Sequence, residues 1–417
     1  MRRDSADAAD ARAGDRLTRG RLAALGFVGM AGSLSTDLYL PAFPDLRADL
    51  GATAAAVQLT LTAYLVGSAL GQFGIGTVSD ALGRRRTLLT AFSVFALAGF
   101  AAAAAPSLEW VVALRFVQGV CGSAGAALAR AIVADLATGE RAARGISILI
   151  ATMGLGPVFG SPLGALLTSW GGWRAALLGL ALVATAMLVV AALAIPESLP
   201  PERRHPARIG PLAASLGRLI RDRAFVCLAL AFAIGYAALI LYIGSSSFVV
   251  QNVFGATPLV YSLTFAAGSV SFVLGAWLNA RVVRRLGTAG ALRAAQLTTL
   301  GAAVALLVLA LTGALGLVTW TPLVCLFTAG CAGTMSDASA LTLDRAAFAA
   351  GAGSATLGLF QFTLGAVASP FGGLWGDDTA VPVTAGMTGA ALLGLAAAAL
   401  ARAGRSPATA DAGAHGR

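Results

Sequence analysis

Lysine is absent from this chain, histidine occurs twice, and charge of either sign is scarce. Charged residues make up 12% of the 417, against about 25% in a soluble globular domain. The two histidines, His205 and His415, fall in polar stretches, and nowhere do a nucleophile, a base and an acid lie together. That argues against an enzyme. The four cysteines (Cys121, Cys227, Cys325 and Cys331) stand in apolar surroundings without metal-ligand spacing, so neither a disulfide framework nor a metal site is implied. No G-x-x-x-x-G-K-[ST] loop occurs, which removes ATP as an energy source, and no other cofactor is implied. The amino-terminal stretch lacks the apolar core and cleavage site of a signal peptide and reads as a disordered cytoplasmic tail.

What the chain has in abundance is apolar. Hydrophobic residues make up 58%, glycines number 51 and the mean hydropathy is +0.81, a composition suited to membrane-spanning helices in close contact. Stretches of about 20 residues, enough to cross a ~30 Å hydrocarbon layer, recur near 22–43, 55–78, 87–106, 109–133, 146–169 and 174–195. They resume at 224–250, 258–279, 294–315, 319–341, 351–372 and 381–401. The fold class expected is therefore all-α integral membrane with twelve transmembrane helices. The domains expected are a tail over 1–20, a six-helix bundle over 21–195, a cytoplasmic linker over 196–223, a second bundle over 224–401 and a tail over 402–417.

The net charge of +10 rests on 29 basic residues, all arginine, a usage that a GC-rich genome produces. With the amino terminus inside, 25 of them fall in the tails, the linker and the connections on one side. Only Arg47 and Arg174 fall on the other side, where acids such as Asp377 and Asp378 stand; Arg115 and Arg130 lie in or at the edge of a helix. Arginine accumulates in short cytoplasmic loops, so both termini are expected there and no nucleic-acid partner is implied. The halves repeat weakly: SDALGRRR after crossing 2 matches NARVVRRLG after crossing 8, and GERAARG after crossing 4 matches LDRAAFAAG after crossing 10. Two such halves about an axis normal to the membrane, with a binding site between them, form a transporter plan.

One acid stands inside the first apolar run. Asp37 lies about fifteen residues in, so roughly 22 Å along a helix, and a carboxylate at that depth costs about 2.5–3.5 kcal/mol on insertion scales. It must face a cavity or a partner, or hold a proton. Pro41 clashes with the carbonyl four residues back, which is that of Asp37, and loosens the helix there. Arg115, in the fourth run, comes to the same depth, which invites a cavity shared with Asp37, and Gln118 shares its face one turn on. In the fifth run Gly156, Gly160 and Gly164 form a small-residue stripe for close helix contact, with Pro157 and Pro162 between them. Tyr39, Tyr242, Ser245, Phe360 and Gln361 are candidates to line a cavity.

The string from Gly76 through Asp80 and Gly83 to Arg84 resembles the cytoplasmic loop motif of the major facilitator superfamily. The string R-x-x-Q-G at Arg115 resembles the span-4 motif of that superfamily's drug/proton antiporters, and the stripe at Gly156 resembles their span-5 motif, with Ser161 and Pro162 departing from it. STDLYLPAFP, ARAIVADL, YIGSSSF, NARVVRRLG and AGAGSATLGLFQ are similar to the bicyclomycin/chloramphenicol-resistance (Bcr/CflA) exporters in particular. The resemblance implies the major facilitator fold of two pseudo-symmetric bundles in a bacterial inner membrane. It further implies proton-coupled export of amphiphilic drugs such as amphenicols or bicyclomycin-like molecules, with coupling at Asp37 and Arg115. Gly76, Asp80, Gly83 and Arg84 would form a cytoplasmic latch partnered by Asp135. A monomer is the default. The alternatives are an exporter of an endogenous metabolite or amino acid, a proton-coupled importer of the same fold, and a non-transporting membrane receptor or scaffold.

Overall fold

The structure, a computed structural model, describes residues 17–204, 217–346, 350–373 and 378–403, and all its regular elements are helical. His205, His415, Asp377, residues 205–216 of the central linker and most of both tails lie outside the described residues. The chain runs through α1 (Arg19–Gly29), α2 (Ala31–Asp37), a 3-10 turn (Leu40–Ala42), α3 (Phe43–Asp49), α4 (Ala54–Leu82), α5 (Arg84–Ala103) and α6 (Leu108–Leu136). It continues through α7 (Gly139–Met153), α8 (Gly156–Ala194), α9 (Arg223–Phe248), α10 (Pro258–Leu311), α11 (Leu317–Arg345), α12 (Ala350–Ala368) and α13 (Val381–Ala403).

Among the described residues, eight helical stretches are long and apolar enough to cross a membrane on length and composition alone. Two of them are too long for one crossing. At about 1.5 Å per residue the 54 residues of α10 would reach about 80 Å. The ladder turns back at glycines: α10 breaks at Gly287 (φ 68°), and α8 breaks at Gly171 and Gly172 (φ 67°). An L side chain rarely adopts that conformation. With those breaks, the divided first crossing (α1 and α2) and α12, the described residues make twelve passes. The first pass is less regular than its apolar run suggests. It breaks at Met30, and past Asp37 it tightens into the 3-10 turn at Pro41 before α3 begins at Phe43.

Buried apolar residues form three clusters, and their layout describes the shape. At the arginine-bearing end the core is divided. One cluster there draws only on residues between Ala24 and Ile195, with Phe92 and Leu128 at its centre, and another only on residues between Leu219 and Ala401, with Phe225 and Leu292. At the opposite end a single cluster takes in both halves, from Leu38, Phe43 and Trp173 to Tyr242, Trp320 and Met387. The bundles are thus joined at one end and packed separately at the other.

Candidate functional site

The acid of the first crossing is buried, with 4% of Asp37 exposed. It ends α2, and α8 holds it there. A β-carbon on Gly156, Gly160 or Gly164 would sit 3.1 Å from Ser33 Cβ, 3.2 Å from Asp37 Cβ and 3.0 Å from Leu38 Cα respectively, so three successive turns of glycine let α8 lie against the backbone that carries the acid. Pro157 opens α8 and Pro162 sits inside it, beside the buried Ser161. Among the described residues, the one hydrogen bond to the Asp37 carboxyl comes from Thr36 Oγ1 at 3.0 Å, and no cation lies within 4.0 Å.

Arg115 is fully buried, which rules out an extension to the headgroups. Its Nη1 donates to Ser35 Oγ at 2.8 Å and to Gln118 Oε1 at 3.0 Å, and its Nη2 donates to the Ser35 carbonyl at 2.8 Å. The guanidinium also lies over two rings, 5.0 Å from the centroid of Tyr39 and 4.6 Å from that of Tyr64, an arrangement worth about 2 kcal/mol or more when desolvated. Its Nε has no partner. Asp37 and Arg115 are therefore buried on either side of one short helix without forming an ion pair. Ser35 and Asp37 are two residues apart, about 200° around the helix, so the residue that binds the arginine turns the acid away from it. The guanidinium is neutralised by no carboxylate and the carboxyl by no cation, the arrangement in which a buried acid holds its proton.

The aromatic and polar candidates are scattered. Tyr39 joins Arg115 and packs edge-on against Phe43. Tyr242 stacks on Phe265 beside Trp320 and Phe327 within the second half. Phe360 packs against the second half's own core at the arginine-bearing end, and Gln361 is half-buried. Ser245 has a different role, in the seal between the halves. Gln58 Nε2 donates to Ser245 Oγ at 3.2 Å and to the Gly244 carbonyl at 3.1 Å, while Ser369 Oγ donates to the Gln58 carbonyl at 3.3 Å. Gln251 Nε2 reaches the Pro41 carbonyl at 3.1 Å, Thr62 Oγ1 reaches that of Ala366 at 3.4 Å, and Phe43 meets Phe248. Gln58, Ser35 and Thr62 carry no mark in the sequence, because their meaning comes from residues as many as 311 positions away.

At the arginine-bearing end Gly83 turns the chain at φ 101° between α4 and α5. Arg84 then donates to Asp80 at 2.5 Å, to Ser79 at 2.6 Å and to Asp135 at 3.1 Å, and its backbone N–H donates to Glu197 at 2.9 Å. Ser198 completes Asp135 at 2.8 Å. These bonds stay within the first half and the start of the linker, on the side where the two cores are separate. Gly76, one turn before Asp80, has nothing within 4 Å of where a β-carbon would stand.

The Major Facilitator Superfamily profile matches residues 25–373. The chain belongs to the Major Facilitator Superfamily. It is 33% identical over 373 residues to an uncharacterized MFS-type transporter, YdgK, of Bacillus subtilis, covering 89% of this chain and 92% of that one. A bicyclomycin resistance protein homolog of Haemophilus influenzae is 27% identical over 86% of this chain and 90% of its own. A chloramphenicol resistance protein of Pseudomonas aeruginosa is 33% identical over 63% of this chain and 61% of its own. Among solved structures the fold matches the xylose transporter XylE from E. coli in a partially occluded, inward-open conformation, with a TM-score of 0.71 at 14% identity, covering 93% of this chain and 97% of that one. The protein is thus a multi-pass membrane transporter of the superfamily, similar to its drug-resistance branch.

Proposed function

We propose that this transporter exports small amphiphilic compounds, of the class of amphenicols and bicyclomycin, in exchange for protons. The observation that carries the reading is Asp37, a carboxyl buried without a cation on the glycine stripe of crossing 5, across one short helix from a buried guanidinium that also lacks a counter-ion. In this reading the arginine-bearing end and both termini face the cytoplasm, and the structure corresponds to a state closed to the outside. Rocking of the halves opens the far end, hydrates Asp37 and lets it exchange its proton, while Arg115 stabilises the carboxylate that forms. One proton moving inward through 100 mV releases about 2.3 kcal/mol, which sustains a gradient of roughly fifty-fold for a neutral solute. The five hydrogen bonds of the seal, at about 0.6 kcal/mol each in a membrane protein, sum to about 3 kcal/mol, so the seal opens at a cost one proton nearly meets.

Expression in an efflux-deficient bacterial host challenged with chloramphenicol and with bicyclomycin tests the reading. Raised resistance to either, lost in Asp37→Asn at equal membrane expression, is the expected result. Resistance that survives Asp37→Asn overturns the coupling, and substrate leaving everted vesicles on acidification of the lumen would make the protein an importer.

A further inference from the structure

Asp37 is matched by a second buried acid in the other half of the molecule. Asp337, on α11, is 3% exposed, and its Oδ1 accepts one hydrogen bond, from Asn279 Nδ2 of α10 at 2.9 Å. Its Oδ2 has no partner. The surroundings are closely packed. Where α10 and α11 cross, a β-carbon on Gly275 would lie 2.5 Å from Ala329 Cα, and one on Gly333 would lie 2.9 Å from Ala295 Cβ and 3.1 Å from Asn279 Oδ1. The charged groups on the elements that pack against this site are Arg281, Arg284, Arg285 and Arg293 on α10, Arg223 on α9, and Asp344 and Arg345 on α11 itself, while α12 carries none. None pairs with Asp337: Arg345 pairs with Asp222, and Arg281 lies over the exposed ring of Trp277. Neighbouring buried acceptors are unpartnered too, Thr334 Oγ1 one turn back and Gln296 Oε1 across the crossing.

An ionised carboxylate is stabilised by cations or by several donors. This one has a single amide donor and an orphaned oxygen in a close contact between two helices, and leaving a buried charged group so poorly satisfied costs more than the roughly 1–3 kcal/mol of a neutral orphan. We propose that Asp337 and Asn279 form a second proton-binding site, in the carboxy-terminal half, that is loaded in the conformation seen here. The inference rests on the reading of a proton-coupled transporter and extends it by one site. Asp337 stands eight residues before the end of α11, about 12 Å from the arginine-bearing end. Asn279 stands two residues before Arg281, where the basic loop begins. A shift of that loop that lets water reach the carboxyl from the basic end would stabilise the carboxylate and release the proton on the cytoplasmic side. The bond made or broken is O–H of the Asp337 carboxyl, and the proton passes to water.

The test needs no transport substrate. Purified protein in liposomes is titrated across the neutral range while infrared difference spectra follow the carbonyl stretch of protonated carboxyls, and an indicator dye counts released protons. The wild type is expected to show two buried carboxyl bands. Asp37→Asn removes one of them. Asp337→Asn removes the other and releases one proton fewer per chain. Asn279→Ala keeps the acid and shifts its band, which covers the case in which Asp337→Asn fails to fold. Spectra and proton counts unchanged by Asp337→Asn, or a band unmoved by Asn279→Ala, overturn the proposal. Loss of the Asp37 band alone from the wild-type pattern would instead count against the coupling reading and leave this site standing.

Discussion

The loop after crossing 2 and the loop after crossing 8 occupy corresponding places in the two halves, and they are built with opposite chemistry. In the first, Arg84 is surrounded by Asp80, Asp135 and the Glu197 carboxylate that binds its backbone, a knot of charges at the edge of water. In the second, an amide meets an acid, Asn279 with Asp337, while the loop's arginines turn outward and Arg281 settles on Trp277. The same topology is thus fastened by ions in one half and by a neutral pair in the other. Charged fastenings at an exposed edge are screened by salt and insensitive to neutral pH; a neutral fastening that needs a proton depends on pH and hardly on salt. Among the described residues each half also buries one acid, Asp37 in the first and Asp337 in the second, and neither has a counter-ion there.

Five substitutions break or sharpen this contrast. The largest effect is expected for Asp37→Asn, which removes the titrating group nearest the centre and should abolish drug resistance in the efflux-deficient host, whereas Asp337→Asn should reduce it without abolishing it. Equal losses from both would erase the distinction between the halves. Next, Asp135→Asn leaves Arg84 with Asp80 and takes a charged partner out of the knot, an interaction worth about 1.5–3 kcal/mol, so transport should fall by roughly ten-fold or more. High salt should mimic that loss in the wild type, an effect read from uptake into vesicles at two ionic strengths. Smaller is the effect of Gln58→Ala on the seal. Losing two hydrogen bonds of about 0.6 kcal/mol each should shift the closed-to-open ratio at the end opposite the arginines about eight-fold. Spin labels placed at Thr53 and Thr312 would report this as a longer distance population.

The smallest effect lies at that same end, where Asp49 accepts from Trp173 Nε1 at 2.9 Å and from Arg174 at 2.5 Å. Those two bonds, the one from Trp173 first, hold its carboxyl below the usual carboxylate range. A depressed value means the contribution is present above the unfolded carboxylate range and disappears as pH falls through the folded value. Asp49→Asn should lower Tm slightly at neutral pH and not at all in acid.

Much of this could be read in the sequence, because membrane burial writes itself into composition. The twelve apolar runs and the uneven arginines follow from the cost of exposing backbone and charge to lipid. Asp80, Arg84 and Asp135 meet as their motif implies, and the stripe of Gly156, Gly160 and Gly164 lies against the helix of Asp37. Rotation about a helix axis could not be read. Equal depth suggests a cavity shared by Asp37 and Arg115 but not their orientation within it: Ser35 takes the arginine and turns Asp37 through roughly 200° away from it. Gln58 was equally silent, since a glutamine in an apolar run looks the same whether it closes a gate or bonds within its own bundle. The break at Met30 left no proline or glycine pair to mark it.

The joint between the halves at the end away from the arginines is built from amide, hydroxyl and carbonyl groups around a shared apolar core. Ions in the medium have little to grip there. If that face looks outward, the cell can meet fresh water or brine and this door should stay shut with the same firmness, leaving the membrane potential, and not the saltiness of the surroundings, to decide when it swings.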